Sequence, residues 1–142
     1  MILHTANGGR RWEVQKSGQT DPILEVFFID PERGWAAGWN GMILQTEDGG
    51  KKWTAQKSGT TAALEAIFFI DPLRGWAVGR QGTILRTTDG GKRWEPQQSG
   101  TEHLLIDVQF VSPQIGWIAG GSGTMLKTEN GGKRPGRRST PS

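Results

Sequence analysis

The sequence contains no cysteine and no tyrosine, and only two histidines in 142 residues. Without cysteine there is no disulfide framework and no thiol redox chemistry, and the cellular compartment stays open. Without tyrosine there is no phenolic nucleophile. His4 and His103 have no partner pattern for nucleophilic or metal chemistry, so neither a metal nor another cofactor is expected. No apolar run approaches the ~20 residues of a membrane-spanning helix, so no membrane insertion is expected. The opening "MILHTANGG" lacks the charged-then-apolar pattern of a signal peptide, although a longer parent is free to carry one. A basic surface is missing too, despite a pI near 9.6. Lys133, Arg134, Arg137 and Arg138 supply four of the 17 positive charges, leaving residues 1–132 with 13 against 14 negative charges. Nucleic-acid binding calls for a basic stripe on the folded body, so no nucleic-acid partner is expected.

What the chain has in abundance is glycine, with 22, and tryptophan, with seven. Both recur with a period of 41 residues. "TANGGRRW" (5–12), "TEDGGKKW" (46–53), "TTDGGKRW" (87–94) and "TENGGKRP" (128–135) stand in strict register. Trp35, Trp76 and Trp117 keep the same spacing, as do Phe28, Phe69 and Phe110. A fixed period in the range of about 20–50 residues signals a solenoid or a propeller. No 3.6-residue periodicity appears, so helical repeats are excluded. Each unit holds four short apolar runs separated by Gly, Pro, Asp or Ser, such as "AIFFID", "GWAVGR", "GTILRTT" and "KRWEPQQ". Turns this short connect antiparallel strands, here named A to D within each unit. Four such strands in about 40–45 residues make one propeller blade.

The fold expected is therefore all-β, a propeller segment of about three four-stranded antiparallel blades, part of a larger or oligomeric ring. Residues 1–18 read as strands C and D of a partial blade, 19–59 and 60–100 as full blades, and 101–133 as a blade with an incomplete last strand. Residues 134–142 read as a basic tail. The tail departs from the repeat where Pro135 replaces the recurring tryptophan. One choice of codons for Arg134 to Ser139, read two bases later, gives Ala-Trp-Thr-Pro-Gln and restores both tryptophan and register. The expectation is thus a fragment of a longer propeller with a frameshifted or shortened tail. If the chain is complete, a head-to-tail homodimer would close the ring.

The recurring turn lies between strands C and D. Asp-Gly and Asn-Gly favour the positive φ of tight hairpins. Asp48 and Asp89, and uncharged Asn7 and Asn130, are placed to accept turn amides. Thr5, Thr46, Thr87 and Thr128 can bond across the turn. Trp12, Trp53 and Trp94 can cover it and fill space against the next sheet. A calcium loop needs several oxygen ligands, and one carboxylate stands alone here, so the motif reads as a blade staple with no metal. It resembles the Asp-box, or bacterial neuraminidase repeat, Ser/Thr-x-Asp-x-Gly-x-x-Trp. "GWAVGRQGTILRTTDGGKRW" (75–94) resembles more closely the photosystem II stability and assembly factor family, whose members are Asp-box β-propellers.

That resemblance implies a non-catalytic assembly scaffold that holds a protein client, a membrane-protein subunit, through arginine-rich surface. It points to Arg33, Arg74, Arg80 and Arg86, with Lys127 at the Arg86 position. Ile115 and Gln45 interrupt the two series. Independently of the resemblance, the B–C and D–A loops vary between repeats while the A–B and C–D turns are uniform. Recognition positions are free to differ where packing positions are not, so the variable end is the expected binding face, with Trp39 and Arg80 foremost. The alternative is a fragment of a secreted Asp-box glycoside hydrolase, sialidase-like, or a carbohydrate-binding propeller. A retaining sialidase uses a tyrosine nucleophile, which this chain lacks; other glycosidases pair two carboxylates about 5–10 Å apart. Asp21 and Glu102 fall on different blades, and Glu25 and Asp107 flank a repeat position held by Ala66. No catalytic residue is therefore expected.

Overall fold

The computed structural model describes residues 2–5, 13–15, 21–132 and 138–139, the backbone alone for 13–15 and 138–139. Strands β1 (Ile2–His4) and β2 (Glu13–Gln15) pair as a two-stranded sheet. The first four-stranded sheet runs β3 (Ile23–Phe28), β4 (Gly34–Gly38), β5 (Ile43–Thr46), β6 (Thr54–Gln56). The second runs β7 (Leu64–Phe69), β8 (Gly75–Gly79), β9 (Ile84–Thr87), β10 (Glu95–Gln97). The third runs β11 (Leu105–Phe110), β12 (Gly116–Gly120), β13 (Met125–Thr128), β14 (Arg138–Ser139). Every pairing is antiparallel between sequence neighbours. The protein is all-β, a partial β-propeller whose described helical turns are three-residue 3-10 corners.

Period-2 alternation sends side chains to both faces of each sheet, and in the inner strands of the first and second four-stranded sheets both faces are packed. Trp35, Ala37 and Ile43 of the first sheet meet Leu64, Ile67, Phe69 and Leu85 of the second. Trp76, Val78 and Ile84 of the second meet Leu105, Val108, Phe110 and Leu126 of the third. Ile2 packs with Ala36, Leu44 and Trp53 on the first sheet's other face. This explains why Gly-Trp-Ala-Ala-Gly and Gly-Trp-Ala-Val-Gly lack polar positions: β4 and β8 are buried on both faces. Stacked Trp–Phe pairs bind successive sheets. Trp35 lies 3.5 Å from Phe69 at 8°, and Trp76 lies 3.5 Å from Phe110 at 7°. Each such pair contributes about 0.5–1.5 kcal/mol beyond its buried area.

Two details depart from the sequence reading. Two residues of the expected tail, Arg138 and Ser139, form β14 against β13. Their register is one residue out: Met125 faces Ser139, whereas its counterparts Ile43 and Ile84 face Gln56 and Gln97, the equivalents of Arg138. A shifted register is expected for a segment that does not carry the repeat. Second, Trp94 packs against the preceding sheet, not the next, because β10 turns that face toward Trp35 and Phe69.

Candidate functional site

The two ends of the stacked sheets differ in chemistry. At one end lie the A–B and C–D turns. In the second sheet the Thr87 hydroxyl donates to Asp89 Oδ1 at 2.8 Å and accepts the Gly91 amide at 2.9 Å. Asp89 Oδ1 also accepts the Arg93 amide at 2.9 Å. Thr46, Asp48, Gly50 and Lys52 repeat this arrangement in the first sheet. Thr128, Asn130 and Gly132 repeat the threonine part in the third. Of the first copy, Asn7 and Trp12 lie outside the described residues. The Lys52 amide and the Thr46 hydroxyl hold the Asp48 carboxyl below its ordinary range. Burial pushes Asp89 up, but the Arg93 amide and Thr87 hydroxyl outweigh it, so it too is lowered. The turn also works between sheets. Trp35 Nε1 donates to the Gly90 carbonyl at 3.2 Å, and Trp76 Nε1 to the Gly131 carbonyl at 3.1 Å.

Arg33 and Arg74 sit at this same end, tied to their own turns. Asp30 Oδ1 accepts the Glu32 and Arg33 amides, and Arg33 Nε donates to Asp30 Oδ2 at 2.9 Å. Asp71 and Arg74 do the same at 2.8 Å. Where Ile115 replaces the arginine, Ser112 Oγ accepts the Gln114 and Ile115 amides. Arg86 lies opposite Trp76 in the ladder, half-buried between the second and third sheets, with its Nε buried and unpaired among the described residues. Lys127 lies opposite Trp117, its ammonium 5.9 Å from the indole and 3.3 Å from Glu129. These four cations therefore do not form one arginine-rich surface.

Trp39 and Arg80 are at the other end, and there the structure brings them together. The Arg80 guanidinium carbon lies 5.8 Å from the Trp39 ring centre, a cation–π distance. Arg80 Nε also approaches Glu65 Oε1 at 3.5 Å. Both residues open the same corner turn, in which the next residue, Asn40 or Gln81, has φ near +58°. Gly41 and Gly82 follow at φ +68°, and a Cβ there would sit 1.9 Å from the Thr60 or Thr101 carbonyl oxygen. The corner is thus pressed against the following D–A loop with no room to shift. The Trp39 amide donates to Pro22 O and the Arg80 amide to Ala63 O. A fixed backbone leaves the side chain as the variable part. Trp39 is 44% exposed, unusual for an indole. With Asn40, Thr61, Ala62, Ala63 and Gln81 the pair lines a groove of about 310 Å³ between the first and second sheets. Asn40 Nδ2 donates to Asp21 Oδ2 at 3.2 Å on its flank.

The sequence names Trp39 and Arg80 as candidates but shows neither their contact nor Glu65 as the partner of Arg80, nor Asp21 as that of Asn40. Gln56 was also missed. It accepts Trp94 Nε1 at 3.1 Å and donates to Gly90 O. Its signal was available, since Gln15, Gln56 and Gln97 recur at the repeat spacing. Of the acids weighed for hydrolysis, Asp21 lies on the flank of this groove, bonded to Asn40. Glu25 reaches the next inner strand, accepting the Ile67 amide at 3.3 Å, and its carboxyl is raised by burial, with Asp107 adding to the rise. Among the described residues no group of three His, Asp or Glu side chains is arranged to hold a metal.

The profile of the family described as photosynthesis system II assembly factor YCF48 matches residues 4–68 and 55–137. No curated protein matches the chain. Among solved structures, YCF48 bound to D1 peptide is similar, with 25% identity and a TM-score of 0.73 over 85% of this chain and 39% of that one. YCF48 from Cyanidioschyzon merolae has 25% identity and a TM-score of 0.71 over 84% and 39%. An ancestral GH74 enzyme has 14% identity and a TM-score of 0.72 over 93% and 20%, a likeness of fold alone. The chain spans about two fifths of the YCF48 chains it matches.

Proposed function

The chain belongs to the photosynthesis system II assembly factor YCF48 family, and from that membership we propose that it is a non-catalytic scaffold that holds a protein client. The client is an extended segment of a membrane-protein subunit, seated at the Trp39–Arg80 end. One observation carries the reading: an exposed indole and a guanidinium meet over a groove, on corners whose backbone is locked. Aromatic and arginine side chains dominate the energetics of protein interfaces, and a preorganised backbone limits the entropy lost on binding. The similarity to YCF48 bound to D1 peptide supports a peptide client. The hydrolase alternative has support from fold likeness only, which does not carry function.

The test is fluorescence anisotropy of a labelled D1 peptide titrated with the full chain. Saturable binding is expected, weakened about tenfold or more by Trp39→Ala and by Arg80→Ala, and unchanged by Arg33→Ala. Absence of saturation, or equal losses in all three variants, would overturn the placement of the site.

A further inference from the structure

The corner turns carry side chains that packing does not explain. Asn40 has φ 58° and ψ 31°, and Gln81 has φ 59° and ψ 31°, so both lie in the left-handed region. That region is unfavourable for a side chain as long as glutamine's, and glycine fills it without strain. The turn itself therefore does not call for the Gln81 side chain. Packing does not call for it either: Gln81 is exposed, and its carboxamide has no hydrogen-bond partner among the described residues. The backbone around it is held, with the Arg80 amide bonded to Ala63 O at 3.0 Å and the Thr83 amide to Arg80 O at 3.2 Å. Strain kept in place by a fixed backbone is a feature of binding sites.

Asn40 stands at the same corner of the first sheet, and its carboxamide is oriented. Its Nδ2 lies 3.2 Å from Asp21 Oδ2. A carboxylate only accepts, so the amino group faces Asp21 and Oδ1 is left as an acceptor. Asn40 and Gln81 both line the groove that Trp39 and Arg80 cover. Gln81 also borders a second hollow, of about 690 Å³, formed with Gly100, Thr101, Glu102 and His103. It is thus the divide between two adjoining depressions, and a chain crossing from one to the other passes over its carboxamide.

We propose that Asn40 and Gln81 read the backbone of the client, not its side chains. This rests on the reading of the Trp39–Arg80 end as the client's seat. The ligand is an extended polypeptide segment that runs along the groove, over Gln81 and into the second hollow. Asn40 Oδ1 accepts one of its peptide N–H groups. The Gln81 carboxamide, donor and acceptor together, pairs with the N–H and C=O of another residue of the segment. An extended chain supplies these groups whatever its sequence. Trp39 and Arg80 then choose among side chains, while the two carboxamides require only free amides in an extended backbone.

Two measurements on the full chain test this, both by anisotropy of the labelled D1 peptide. The first is a backbone scan, in which the peptide carries one N-methylated amide at a time. At least two positions are expected to weaken binding about tenfold. The unaltered chain is used, so no variant need fold. The second uses Gln81→Gly and Asn40→Gly, which remove the carboxamides and relieve the left-handed strain. Each is expected to unfold at the same urea concentration as the parent or higher, and to bind about tenfold more weakly. A merely structural role would lower stability and leave affinity alone. If the peptide does not saturate the parent, or Trp39→Ala binds as the parent does, the seat is wrong and the backbone reading is overturned with it. If the peptide saturates and Trp39→Ala weakens it, the seat stands. The backbone reading alone is then overturned by either of two results: no methylated amide weakens binding, or either Gln81→Gly or Asn40→Gly binds as the parent does or unfolds at lower urea.

Discussion

Thr87 concentrates more of the architecture than its size implies. It is buried, and its single hydroxyl serves both the Asp89 carboxylate and the Gly91 amide. Replacement by isosteric valine keeps the volume and strands that amide. Thr87→Val is expected to lose about 1–3 kcal/mol in urea unfolding, while Thr88→Val, at an exposed neighbour, changes little. The acid partners give a pH dependence. Asp48 and Asp89 titrate below the ordinary 3.8 in the folded chain. Their contribution is therefore complete above that value and is lost as pH falls through the lowered folded pKa. Glu25, raised above 4.5, acts in the opposite sense: it favours the folded state at low pH and loses that contribution as pH rises through its raised value. Asp30 and Asp71 are lowered too, so with four lowered groups against one raised, Tm should fall below about pH 4, and Asp89→Asn should lessen that fall. A Tm that stays level from pH 5 to pH 3 would contradict the assignment.

At the scale of elements, the corner turns and the D–A loops form one unit. Gly82 has φ +68° with Thr101 O pressed against it, whereas Gly100 has φ +77° and open space around it. An alanine at either position pays the left-handed cost of about 1–2 kcal/mol. Only Gly82→Ala adds a collision with backbone, worth about 1–3 kcal/mol more. Chemical unfolding of the two variants should separate them by that margin. Strands were legible in the sequence because identical packing problems impose identical residues 41 positions apart. Phe28, Phe69 and Phe110 announce the inner strands, and Trp35, Trp76 and Trp117 their neighbours. The site was legible only in part. Loop variation singles out the end that holds Trp39 and Arg80, but their contact depends on how far one corner leans toward the next. Such a distance leaves no period in the chain. Arg86 shows the converse: its repeat position is plain, yet only the stacking of sheets reveals that it is half-buried beside Trp76.

At the scale of the whole molecule, the sheets form a series in which each face is completed by its neighbour. The outward face of the third sheet is the contrast. Trp117 is 37% exposed where Trp35 and Trp76 are buried, and Met125 is exposed where Ile43 and Ile84 are buried. Acrylamide should quench Trp117 ahead of buried Trp35 and Trp76, so the Trp117→Phe chain should be less quenchable than the parent and the Trp76→Phe chain more so. Equal quenching of the two variants would show that this face is covered in solution.

The bonds from Trp35 to Gly90 and from Trp76 to Gly131 each span 55 residues, in one direction along the chain. On a ribosome, Trp35 emerges long before the carbonyl that receives it. At about 5–20 residues per second, roughly 3–11 seconds separate the two. During that interval an indole and the strand face around it are finished in sequence but not in contact, and the same interval opens again for Trp76. Translation speed through each repeat therefore sets how long one adhesive face waits for the next, and slow codons just after a tryptophan strand would lengthen the period in which a nascent chain can be captured by another.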